Sequence, residues 1–179
     1  MESRKIIKAG LIGVTAFVLA VTGVAFTGKP ASAATGSMKF RNSNYCVDVN
    51  QISGPVGNGT KIQAWQCNGG AAQMWYDTVY TSSGNFSLRN PQSGRCLDVD
   101  QLHGPVGNGT KVQLWQCNYG HAQQWRKIRT SYVIEYYNPS SGKCLDLPGS
   151  GYYNGNWLQI WDCNNTLAQH IDGPGVVAN

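Results

Sequence analysis

The sequence predicts an all-β domain made from one small unit used three times, and three observations carry that expectation. The first is a repeated signature. One copy runs Cys46-Val47-Asp48-Val49, Gln63-Ala64-Trp65-Gln66-Cys67-Asn68 and Gln73-Met74-Trp75. The next runs Cys96-Leu97-Asp98-Val99, Gln113-Leu114-Trp115-Gln116-Cys117-Asn118 and Gln123-Gln124-Trp125. The third runs Cys144-Leu145-Asp146-Leu147, Gln159-Ile160-Trp161-Asp162-Cys163-Asn164 and Gln169-His170-Ile171. The leading cysteines lie 50 and 48 residues apart, and the first two copies agree at 21 of 30 positions. A fixed period of this size means a small unit stacked or wound on itself, with any binding site recurring. The second observation is the cysteine count of six, two per copy. The third is texture: short runs of Val, Ile, Leu, Trp and Tyr separated by Gly, Asn and Ser, the pattern of short strands joined by turns.

Residues 1–33 read as a secretory leader and not as part of the fold. Arg4, Lys5 and Lys8 precede an apolar run ending near Phe26, and Ala31-Ser32-Ala33 offers a small-residue cleavage site. As a membrane anchor the run would be marginal in length and is interrupted by Gly13 and Gly23. The mature chain is expected to span 34–179, one domain in size. It carries ten Lys and Arg against eight Asp and Glu, with no basic run. That excludes an obvious nucleic-acid or anionic-membrane surface.

In an exported chain an even cysteine count reads as disulfides. The repeat selects Cys46–Cys67, Cys96–Cys117 and Cys144–Cys163, each closing a loop of about 20 residues and contributing on the order of 3 kcal/mol. Zinc would want closer cysteine pairs, so no metal and no cofactor are expected.

Alternation along each strand assigns the faces. Val47 and Val49, with Ile62 and Ala64, should point to the core, as should their counterparts in the other copies. Asp48, Gln63 and Trp65, with Asp98, Gln113 and Trp115, and Asp146, Gln159 and Trp161, should share the opposite face. Trp75 and Trp125 close their units as core residues, with Ile171 in that place in the third. Asn58-Gly59, Asn108-Gly109 and Asn154-Gly155 precede each second strand as tight-turn signals.

The C-L-D-V, Q-L-W-x-C-N and Q-x-W motifs, registered with the cysteines in three copies, resemble the ricin B-chain type lectin domain, also known as the family 13 carbohydrate-binding module. The likeness spans residues 38–172. It implies a β-trefoil, a short barrel capped at one end by hairpins, with lobes near 38–80, 81–130 and 131–175. It implies up to three shallow sites for galactose, lactose, xylan or other glycans. On this chain the sugar-anchoring aspartate matches Asp48, Asp98 and Asp146, and the stacking aromatic matches Trp65, Trp115 and Trp161. The polar residue after the second cysteine matches Asn68, Asn118 and Asn164. The two glutamine positions match Gln63, Gln113 and Gln159, and Gln73, Gln123 and Gln169, of which the latter set is expected to hold a turn or orient the aspartate. One departure is systematic: Ala72, Ala122 and Ala168 stand where the family commonly has Asn before the Q-x-W glutamine. A second is the loop Gly54–Thr60, repeated as Gly104–Thr110 but shortened near Gly151-Tyr152-Tyr153, which is expected to border the site and make lobe three different.

These residue types suit a sugar. An aromatic plate covers the C–H face of a pyranose, and an ionised Asp accepts from adjacent hydroxyls in charge-assisted bonds. Catalysis has less support. Glycoside hydrolysis needs two carboxylates about one bond, whereas these stand one per repeat. His103, His121 and His170 occupy unrelated positions, and no G-x-S-x-G nucleophile motif is present. The sequence therefore points to a secreted, monomeric, non-enzymatic lectin. A glycan or polysaccharide is its partner, with a separate secreted enzyme as a further one. A trefoil acting through its loops on a protein, as a protease inhibitor or adhesin, is the alternative; threefold retention of Asp, Gln and Trp weighs against it.

Overall fold

The computed structural model describes residues 35–78, 81–130 and 132–174. The expected leader at 1–33 lies outside the described residues. The described residues are all-β, with short 3-10 turns at Ala71–Gln73, His121–Gln123 and Pro148–Ser150.

Each lobe is organised around one antiparallel pair. Tyr45–Val49 pairs with Thr60–Gln66, Arg95–Val99 with Val112–Trp115, and Lys143–Asp146 with Gln159–Trp161. The register is identical in all three, setting Asp48 opposite Gln63, Asp98 opposite Gln113 and Asp146 opposite Gln159. Because side chains alternate, one face of every pair is aliphatic. Val47, Ala64, Leu97, Leu114, Leu145 and Ile160 are buried in a core shared by all three lobes. A short strand follows the Q-x-W turn in the first two lobes: Met74–Thr78 pairs with Ser87–Asn90, and Arg126–Thr130 with Val133–Asn138. Ile171–Asp172 pairs with Lys39–Phe40, joining the end of the described chain to its beginning.

The disulfides are Cys46–Cys67, Cys96–Cys117 and Cys144–Cys163, one per lobe as expected. Trp75 and Trp125 are sealed in the core, and their indole N–H groups donate to the carbonyls of Val47 (3.0 Å) and Leu97 (3.1 Å). Ile171 fills the matching place in lobe three. An aliphatic side chain there brings no N–H group that needs a partner.

The Asn-Gly pairs turn out to be inter-lobe staples. Only the glycines take positive φ: +82° at Gly59, +90° at Gly109 and +89° at Gly155. This frees each asparagine side chain to reach the next lobe. Asn58 Oδ1 accepts from the Gln116 N–H (2.7 Å), Asn108 Oδ1 from Asp162 (2.9 Å) and Asn154 Oδ1 from Gln66 (2.7 Å). The glycine N–H groups reinforce this by donating to Leu114, Ile160 and Ala64. The contacts run lobe one to two, two to three and three to one, closing a ring. A net hydrogen bond contributes about 1 kcal/mol. Replacing all three asparagines with alanine is therefore expected to lower stability by about 3 kcal/mol, read as a shifted urea midpoint with an unchanged slope.

Candidate binding site

The polar face of each strand pair carries the site. In lobe one Asp48, Gln63 and Trp65 project from it. The segment after Cys67 then folds over this face through the turn Ala71–Gln73, which packs on the strand Tyr45–Val49. Gln73 is completely buried at the centre. Its amide donates to Asp48 Oδ2 (3.1 Å) and to the Gln66 carbonyl (3.0 Å), while its Oε1 accepts from the Asn68 N–H (2.9 Å). Gln63 donates to the other carboxylate oxygen (3.0 Å). Both oxygens of Asp48 are thus gripped by amides.

The same clamp recurs twice. In lobe two Gln113 and Gln123 donate to Oδ1 and Oδ2 of Asp98 at 3.1 and 3.0 Å. In lobe three Gln159 and Gln169 donate to Asp146 at 2.8 and 3.1 Å. Gln123 also bonds Gln116 and Asn118, and Gln169 bonds Asp162 and Asn164. Gln73, Gln123 and Gln169 are fully buried and position the carboxylates and the loop that follows.

The face that alternation turns away from the core is not an open one. The aspartates do not stand in open solvent: Asp48 and Asp98 are 6% exposed and Asp146 is 5% exposed. The folded-over turn covers them, and Asp48 and Asp146 form the floor of a depression whose wall is the indole. Burial pushes all three carboxyls above their ordinary value, against the pull of the two glutamine amides on each. The indoles remain accessible. Trp65 and Trp115 are half-buried and Trp161 is 40% exposed.

In lobe one the depression measures about 260 Å³ and brings together Asp48, Gln63, Trp65 and Asn68. In lobe three it measures about 300 Å³ and brings together Asp146, Gln159, Trp161 and Asn164. The exposed Asn68 and Asn118 each turn Oδ1 back onto the N–H of Gly70 and Gly120, both at 2.8 Å. A Cβ at Gly70 would sit 2.9 Å from that oxygen, so a larger residue there requires the Asn68 amide to shift. In lobe three Thr166 takes this place and its hydroxyl donates to Asn164 Oδ1 (2.8 Å). Ala72 and Ala168 line their depressions with a methyl group where the resemblance leads one to expect an amide.

Some lining residues escaped the sequence reading. Gln51 and Ile52 form a rim in lobe one, joined by Gln92 of lobe two through a Gln51–Gln92 bond of 2.6 Å. Ile52 is 74% exposed. Its recurrence as Leu102, an apolar residue inside a polar loop, was the available signal. Conversely, the loop Gly54–Thr60 does not border this depression; it lines a separate one beside Trp157. Its asparagine staple draws it toward the neighbouring lobe. Among the described residues no group of three or more His, Cys, Asp or Glu converges on a point.

A threefold ring of strand pairs, each presenting a clamped carboxylate beneath an indole, defines a class of protein. Residues 34–170 match the ricin-type β-trefoil lectin domain, and the chain belongs to that family. Its fold is similar to the Macrolepiota procera ricin B-like lectin in complex with lactose, at TM-score 0.64 and 20% identity, covering 80% of this chain and 98% of that one. It is also similar to an exo-β-1,3-galactanase from Clostridium thermocellum, at TM-score 0.70 and 25% identity, covering 82% of this chain but 31% of the enzyme. Serine protease 1 of Rarobacter faecitabidus is 43% identical over 44 residues, which is 25% of this chain and 8% of that protein.

Proposed function

We propose that this protein is a secreted, non-catalytic lectin that binds galactose-type sugars or plant or microbial polysaccharide, one unit per lobe. The observation that carries this reading is the threefold clamp, a carboxylate gripped by two glutamines beside a tryptophan, which in lobes one and three forms the floor of a depression. Gripping from below fixes the carboxylate while its remaining lone pairs face the depression and can accept from sugar hydroxyls. The indole then covers the C–H face. The lactose complex of the Macrolepiota relative supports a glycan partner. The likeness to part of a galactanase and part of a protease supports a role beside a separate secreted enzyme. The leader-like residues 1–33 support export. Each clamped carboxylate serves its own lobe, which leaves no pair to share one glycosidic bond. A glycan array on the processed protein, repeated with free galactose as competitor, tests the assignment. Bound spots that galactose competes away are expected. An array without signal would refute it.

The buried carboxylates add a pH signature. Protonation removes the charge-assisted bonds to sugar, so affinity is expected to fall on acidification, starting above the ordinary carboxylate value of 3.8. Stability responds in the opposite sense. Between 3.8 and the raised folded value the native state binds more protons than the unfolded chain, so these groups add stability as pH falls through that window. Parallel sugar titrations and urea unfolding from about pH 7 to about pH 4 separate the two effects.

A further inference from the structure

The depression under the loop Gly54–Thr60 is distinct from the three carboxylate–indole sites and belongs to the boundary between lobes one and three. It measures about 410 Å³ and is lined by Asn50, Ser53, Asn58, Thr60, Lys61 and Trp157 among others, with no carboxylate. Lys61 and Trp157 hold equivalent repeat positions, two residues after the glycine of each Asn-Gly pair, and Lys111 is the third member. Cross-lobe pairing gathers them: Lys61 lies opposite Gln113, Lys111 opposite Gln159 and Trp157 opposite Gln63.

The chemistry here is donor-rich. Lys61 Nζ donates to the Gly155 carbonyl and lies 5.8 Å from the Trp157 ring centre. Its other two N–H bonds remain to be used. The Ser53 hydroxyl accepts from Asn50 (2.7 Å) and the Thr60 hydroxyl from the Gly57 N–H (2.8 Å), so both O–H protons are left to donate. Asn58, in the lining, accepts from Arg95 Nε at 3.2 Å. Lys111 lines the lobe-two depression and not this one. Burial, helped by the charge of Lys61 and opposed by that of Asp146, holds its ammonium below the ordinary value. Lys61 and unused hydroxyl donors are thus collected beside an indole, with no carboxylate in the lining.

Lobe two shows the contrast. The same loop sequence there encloses only about 170 Å³, and Asp100 and His103 replace Asn50 and Ser53, paired at 2.6 Å. Its version is smaller and already supplied with a carboxylate.

We propose that the depression between lobes one and three binds the anionic group of an acidic sugar unit, a uronate carboxylate or a sulfate ester, at Lys61, with the sugar ring against Trp157. An intact protein could then hold a neutral unit in a lobe site and an acidic unit here.

The test follows the Trp157 indole N–H by NMR while the intact protein is titrated with methyl glucuronide, its methyl ester, and a 6-sulfated methyl galactoside. The glucuronide or the sulfated sugar, or both, should shift the signal, and whichever does identifies the anion. The uncharged ester should not. Lys61→Gln should weaken the response about tenfold or more, the loss of a hydrogen bond to a charged group, and Lys61→Arg should retain it. A chain carrying Trp65→Ala, Trp115→Ala and Trp161→Ala should still respond, which separates this site from the lectin sites. Acid and ester shifting the signal alike, neither anion shifting it, an unaffected Lys61→Gln, or loss of the response in the triple variant would each overturn the proposal.

Discussion

Replacing Trp125 with alanine is expected to lower stability by about 3–5 kcal/mol, the cost of emptying a large aromatic from a packed core. The indole is completely buried, and its backbone is tied to Phe86 by reciprocal N–H···O bonds of 2.8 and 2.7 Å. Truncation also orphans the Leu97 carbonyl, which now accepts the indole N–H, adding about 1–3 kcal/mol where water cannot enter. Total stability of a small domain is about 5–15 kcal/mol, so the variant should sit near the edge of folding at ambient temperature even with its disulfides intact. Trp125→Phe keeps most of the volume and isolates the lost bond, so it should cost far less. Urea unfolding of the oxidised protein at constant slope measures both. A loss under about 1 kcal/mol for the alanine variant would mean that the closing residue is not a core support.

Trp115→Ala should behave in the opposite manner, with little stability lost and avidity strongly reduced. Trp115 is half-buried at the end of its strand, opposite Cys96 and beside the clamped Asp98. A single shallow site is expected to bind with a dissociation constant of about 1 mM, near 4 kcal/mol. Three such sites on one rigid body gain about a hundredfold or more on a multivalent glycan. Removing one indole should therefore reduce binding to a polymer much more than binding to a free monosaccharide. The triple variant Trp65→Ala, Trp115→Ala and Trp161→Ala should lose polymer binding while remaining folded. Matched losses on polymer and monosaccharide would argue against cooperation between lobes.

The two tryptophan positions were separable before any coordinates, and the reason is local. A residue two positions from Gln on an alternating strand must share its face, whereas the residue closing each unit has a β-branched aliphatic counterpart, Ile171, that only a core would accept. Disulfide pairing, strand register and the aliphatic faces were legible for the same reason: each involves residues within one repeat. The aspartates were located but their surroundings were not. Alternation turns Asp48 away from the core, yet says nothing about the turn Ala71–Gln73 folding back over it.

What the sequence by itself determined, then, is a threefold all-β chain with three disulfides and three sets of Asp, Gln, Trp and Asn on one face. Only the tertiary structure decided that the carboxylates of lobes one and three lie at the floor of their sites. It alone showed that Asn58, Asn108 and Asn154 bind the lobes into a ring, and that Lys61 meets Trp157. Those contacts join residues far apart in the chain, 88 positions in the case of Asn154 and Gln66. Periodicity within a repeat describes how a strand alternates; it holds no information about which lobe arrives beside it, and that is settled when three half-covered faces close on a common core.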